Sequence, residues 1–161
     1  KSIISIQIPA GVEDGTRLRL TGQGEPGESG AAHGDLYCDI HVIPHPIFKR
    51  QGNDVLCEVP ITFAQAALGC TIDVPTLTGR VIQVKIPKGT QNSEVVPIRG
   101  EGFPNVHGYG RGNLLVQVIA EVPTKMTSRQ EELLREFAEL EKKNVSPRQK
   151  KFFEKMKNIF E

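Results

Sequence analysis

Residues 8–26 read IPAGVEDGTRLRLTGQGEP, and residues 86–104 read IPKGTQNSEVVPIRGEGFP. The two stretches align without a gap at an offset of 78. Pro9 falls on Pro87, Gly11 on Gly89, Gly22 on Gly100, Gly24 on Gly102 and Pro26 on Pro104. The same offset carries Gly34-Asp35-Leu36 onto Gly112-Asn113-Leu114. Glycines held in one register mark places where the backbone makes the same turn twice, so the spacing predicts a duplicated module.

The modules read as β-structure. Ile4, Ile6 and Ile8 alternate with Ser5 and Gln7, the period of a half-buried strand. Arg17 to Leu20 alternates likewise, and Leu36, Cys38, Ile40 and Val42 define one face of a longer strand. Val55, Cys57 and Val59 repeat the pattern. Residues 63–68 (FAQAAL) break it with good helix formers, and Gly69 stands where a helix would end. Cys70 to Val74 and Val81 to Ile86 flank Thr78-Gly79 as a hairpin, and Val95 to Ile98 and Asn113 to Glu121 complete the strands. The second copy thus has a lead-in of two strands and a short helix between Asp54 and Val74. The first copy has none, and a fragment lacking the upstream strands is the expectation.

After Pro123 the chain changes character. Residues 1–122 carry 10 Lys and Arg against 12 Asp and Glu, and residues 123–161 carry 10 against 7 with no glycine. Thr127 with Gln130, or Ser128 with Glu131, offers a capping box. Leu133, Leu134, Phe137 and Leu140 then share a helical face. Ser146-Pro147 starts a second helix, on which Phe152, Phe153, Met156, Ile159 and Phe160 form an apolar stripe. The expected fold is mainly β: two tandem repeated β-sandwich or barrel-like domains, the first truncated, followed by C-terminal α-helices. The divisions are 1–46, 47–122 and 123–161.

Composition narrows the function classes. The 161 residues hold 20 Lys and Arg and 19 Asp and Glu, a net charge of +1, so no global field points to nucleic acid or a membrane. No apolar run is long enough to span a bilayer. The chain opens on a strand pattern rather than on that of a secretory leader. Cys38, Cys57 and Cys70 stand singly with no CxxC pair, which argues against structural zinc and for a reducing, cytoplasmic setting.

Motifs with apparent chemistry have plainer readings. Gly22 to Gly27 matches GxGxxG, but no helix follows to receive a phosphate, and Glu25 and Glu28 would repel one. Asp39, His41 and His45 could be drawn as metal ligands, yet Pro44 and Pro46 bend the chain around His45, and a solvated strand face running into a linker is preferred. His33 and His107 sit in Gly-rich loops and are expected to be exposed. No Ser, His and Asp spacing suggests a triad. The Lys-rich tail alternates with Glu139, Glu141, Glu154 and Glu161, as a solvated helix face does.

Four stretches together resemble the carboxy-terminal half of the DnaJ family, the zinc-containing class of J-domain co-chaperones. They are residues 8–37 (IPAGVEDGTRLRLTGQGEPGESGAAHGDLY), 45–69 (HPIFKRQGNDVLCEVPITFAQAALG), 74–81 (VPTLTGRV) and 146–153 (SPRQKKFF). In that family the first β-domain begins before a cysteine-rich zinc insertion, and this chain would start just after it. The resemblance therefore implies zinc only in that upstream insertion and no cofactor here. His45-Pro46-Ile47 is not the His-Pro-Asp motif of a J-domain.

The resemblance further implies a non-enzymatic chaperone fragment that binds unfolded client polypeptide, homodimerises and serves a seventy-kilodalton heat-shock chaperone, with no nucleic acid or membrane partner. Family clients lie beside an apolar pocket, onto which Ile4 and Cys38 fall, with Ile6 and Tyr37 nearby. Residues 127–140 match the dimerising helix. Its contacts would come from Leu133, Leu134, Phe137 and Leu140, braced by Phe152, Phe153, Met156 and Phe160. The alternatives are a dimeric scaffold that docks a folded partner or the partner chaperone's acidic tail and, far behind, an enzyme using Cys38 or Asp39 with His41.

Overall fold

The computed structural model describes residues 3–27, 32–106, 108–142 and 146–160. Among them are eight strands and three helices. The strands are β1 (Arg17–Leu20), β2 (Leu36–Asp39), β3 (Phe48–Gln51), β4 (Asp54–Thr62), β5 (Cys70–Pro75), β6 (Val81–Ile86), β7 (Val95–Ile98) and β8 (Leu114–Glu121). The helices are α1 (Phe63–Leu68), α2 (Ser128–Glu141) and α3 (Pro147–Phe160). Residues 1–121 form one compact unit and residues 122–161 another.

Within the first unit, β1 pairs with β2 alone, β3-β4-β8-β7 form a four-stranded sheet, and β5 pairs with β6. β4 and β8 run parallel, from Val55 opposite Leu114 to Thr62 opposite Glu121, and the other pairs are antiparallel. One buried cluster joins the four-stranded sheet to the β5–β6 pair: Val55, Cys57 and Ile61 of β4, Val74 of β5, Val84 and Ile86 of β6, and Leu114, Val116 and Val118 of β8. The β8 sequence alternates because one face points into this cluster.

Capping chemistry closes the helices. The Thr62 hydroxyl accepts from the Gln65 N–H at the start of α1, and the Gln65 side chain accepts from the Thr62 N–H in return. Thr127 and Gln130 do the same for α2, so the chain uses the first of the two capping boxes its sequence offers.

The repeat holds at the level of single hydrogen bonds. Arg17 to Leu20 oppose Asp39 to Leu36, and Val95 to Ile98 oppose Gln117 to Leu114, every pair displaced by the same offset. The Gly24 N–H donates to the Gly34 carbonyl at 2.7 Å, and the Gly102 N–H to the Gly112 carbonyl at 2.9 Å. Even a side-chain contact is copied. Asp14 accepts from the Val42 N–H at 2.8 Å, and Asn92 accepts from the Ala120 N–H at 2.9 Å.

Two strand expectations need correction. Residues 3–8 alternate as a strand does but form none. Their counterpart, β6, is a strand because β5 satisfies its backbone over six residues, and no described segment stands to residues 3–8 as β5 stands to β6. The strand expected to run from Leu36 to Val42 ends at Asp39. Beyond it Ile40 still exchanges bonds with Gly15 and Thr16 at 2.8 and 2.9 Å. β3 went unread in the sequence, because Phe48-Lys49-Arg50-Gln51 has one apolar residue and no alternation.

Candidate client-binding face

β2 is an open edge. In the second copy β8 lies between β4 and β7, whereas β2 hydrogen-bonds to β1 only, among the described residues. The apolar face of the β1–β2 pair is half-buried. Leu18, Leu20, Leu36 and Cys38 share one face of the β1–β2 pair, and all four are only half-buried. Their counterparts across the repeat are Val96, Ile98, Leu114 and Val116. Leu114 and Val116 are fully buried there, and Val96 and Ile98 pack on the core. Among the described residues, β4 and the β5–β6 pair cover this face in the second copy, and no strand does so in the first.

The opposite face is charged and held by ion pairs. Arg17 bonds Asp39 through two guanidinium nitrogens at 2.6 and 3.0 Å. Arg19 bonds Asp35 at 2.6 Å, and Asp35 also accepts from the Gly22 N–H at 3.0 Å. The Gly22 N–H first, and the Arg19 guanidinium second, hold the Asp35 carboxyl below the usual carboxylate range. The bond from Arg17 does the same for Asp39, while Asp39 in turn raises Arg17.

The expected client residues do not all meet. Cys38 lies on the half-buried apolar face. Tyr37, its neighbour along β2, points to the other face opposite Arg19 and is 56% exposed. Ile4 is half-buried and Ile6 exposed, both on the irregular segment that leads to Pro9. Leu18, Leu20 and Leu36, which the sequence reading does not single out, share the face of Cys38. The repeat register held the signal, since it pairs them with residues of the second copy's core.

The dimerisation candidates are exposed within their unit. Leu133 is 48% exposed, Phe137 45% and Leu140 60%, Leu134 is half-buried, and no described residue of α2 is buried. On α3, Phe152, Phe153, Met156 and Ile159 are exposed. Phe160 belongs to α3, with its side chain outside what is described, and His107 lies outside the described residues.

The drawn metal and catalytic sets are not assembled. Asp39 is engaged by Arg17, His41 stands 3.7 Å from Asp14, and His45 accepts from the Ile47 and Phe48 N–H groups at 3.2 and 3.3 Å. Among the described residues no three His, Cys, Asp or Glu side chains converge as metal ligands. Burial, with Glu58 beside it, pushes the Cys57 thiol up, away from the reactive thiolate. Gly22 to Gly27 form part of the connection between β1 and β2, and among the described residues no helix opens there. No described helix is long and apolar enough to cross a membrane.

This duplicated β-scaffold with helices after it agrees with comparison to known proteins. The family model described as DnaJ C terminal domain matches residues 1–123, and that of the Chaperone protein DnaJ C-terminal region matches residues 129–161. The chain belongs to the DnaJ C-terminal domain family. It is 52% identical over 160 residues to Chaperone protein DnaJ of Protochlamydia amoebophila, a match covering 99% of this chain and 42% of the relative. Chaperone protein DnaJ of Syntrophotalea carbinolica is 51% identical over 160 residues, covering 99% and 43%. That of Parageobacillus thermoglucosidasius is 51% identical over 158 residues, covering 98% and 41%. The chain therefore spans about two-fifths of the length of these DnaJ relatives.

Proposed function

We propose that this chain is the client-holding and dimerising part of a DnaJ-type chaperone. It binds non-native polypeptide in extended form without covalent chemistry and, within a longer protein, delivers it to a seventy-kilodalton heat-shock chaperone. What supports the reading is the relatedness to Chaperone protein DnaJ, together with the half-buried apolar face that Leu18, Leu20, Leu36 and Cys38 share beside β2. An unfolded chain brings what that surface lacks. Its backbone pairs with the free edge, and its alternate side chains cover the apolar face. Fully burying one aliphatic side chain is worth about 1.5–3 kcal/mol, so covering four half-buried ones drives association without any one deep pocket. Affinity per arm is modest. Pairing two copies through the exposed face of α2 lets two arms grip one client and raises avidity through effective concentration.

The reading is tested by fluorescence anisotropy with a labelled extended peptide rich in Leu and Ile, beside a polar peptide of equal length. We expect saturable, salt-tolerant binding of the apolar peptide only. Cys38→Glu abolishes it, and Tyr37→Ser, on the opposite face, leaves it unchanged. Binding of both peptides alike, or equal binding by Cys38→Glu, would overturn the assignment.

A further inference from the structure

The turn at Pro9–Thr16 and its counterpart after Pro87 are the same structure held by different anchors. In the second copy the Gly89 N–H donates to the Ala66 and Ala67 carbonyls at the end of α1, at 2.9 and 3.1 Å. The first copy's turn is bonded from the neighbouring copy, by Arg50 of β3. The Arg50 Nη1 donates to the Val12 carbonyl and Nη2 to the Gly11 carbonyl, both at 2.6 Å, while Nε donates to the Gly52 carbonyl at 2.8 Å. The guanidinium carbon sits 4.4 Å from the centroid of the Phe103 ring, and Phe103 packs on the core of the second copy. Glu13, 3.6 Å away, supplies the nearest carboxylate. Gly11 itself lies so close to the Pro104 carbonyl that a Cβ there would collide with it, and its φ of 87° disfavours any side chain.

We propose that Arg50 is a latch that makes the two repeat copies one rigid body. A planar fork reaches two successive carbonyls of one copy while its face stacks on a ring of the other. Modules joined by a short linker otherwise move relative to each other by default. The latch itself stands on this geometry alone. Its consequence rests on the client-holding reading above: the direction in which the first copy presents its open β2 edge is fixed by Arg50, which makes it a positioning residue for long clients.

The test is a set of backbone residual dipolar couplings on the full chain, for the parent, R50K and F103L. In the parent, couplings from residues 16–20 and 36–40 fit the same alignment tensor as those from β4 and β8. In R50K, which keeps the charge and loses the fork, the first copy loses the shared tensor while β4 and β8 retain theirs. F103L, which keeps the fork and loses the ring, weakens the shared alignment less. A short apolar peptide binds R50K as it binds the parent, because the face of Leu18, Leu20, Leu36 and Cys38 is untouched. Persistence of one tensor in R50K would overturn the proposal. So would loss of the second copy's own couplings, since Arg50 would then be part of that copy's fold rather than a latch. The couplings are recorded without peptide, so the latch can fail while client binding stands, and the reverse.

Discussion

Ser93 holds a left-handed conformation, with φ of 66°, at the position where the first copy has Gly15 with φ of 77°. Both N–H groups make the same bond at 2.8 Å, Gly15 to the Ile40 carbonyl and Ser93 to the Val118 carbonyl. The bond fixes the turn, and the turn demands a positive φ that a Cβ disfavours. Ser93→Gly should therefore raise stability, by roughly 0.5–1 kcal/mol, read as a higher midpoint of thermal unfolding. A lower midpoint would show that the Ser93 side chain contributes more than the backbone strain costs. At the same scale, Asp35 and Asp39 tie the β1–β2 pair through the Gly22 N–H and through Arg19 and Arg17. Their folded-state carboxyls titrate below the ordinary value near 3.8. The contribution is complete above that value and disappears as the pH falls through the lower folded value. Amide exchange protection of β1 and β2 should accordingly fall from about pH 4 downward. Asp35→Asn should flatten that dependence, and an unaltered profile in the variant would contradict the assignment.

At the scale of elements, what was legible depended on whether a strand's partner lay within the described chain. β4, β5, β6, β7 and β8 followed their alternation, and α1 followed its Thr62 cap and Gly69 stop, because each meets its partner. Residues 3–8 carry an equally clear alternation and stay irregular, since periodicity states a preference and pairing decides it. β3 was illegible for the converse reason. Its Lys49 and Arg50 serve an ion pair to Glu58 and the bonds to Gly11 and Val12, neither of which leaves a periodic trace. Of the apolar face proposed for clients, the sequence reading singles out Cys38; Leu18, Leu20 and Leu36 join it through the β1–β2 register, which alternation alone does not give. Helix α2 is only 14 residues long and has no buried described residue. A helix of that length is marginal in water unless its apolar face docks. Deleting residues 127–161 should give a folded monomer in sedimentation, against a dimer for the full chain. A truncated chain that still sediments as a dimer would place the contact elsewhere.

At the scale of the whole molecule, one module occurs twice. In the second copy β4 closes the edge of β8, and the repeated apolar face becomes core. In the first copy the same hydrogen bonds build the same two-stranded frame. Arg50 fastens that frame to the second copy. The most direct test is chemical-shift mapping with a Leu- and Ile-rich extended peptide on the isotopically labelled chain. The predicted result is that shifts concentrate in residues 18–20 and 36–40, with the equivalent residues 96–98 and 114–118 unmoved. Equal shifts in both copies, or shifts confined to the second, would contradict the account.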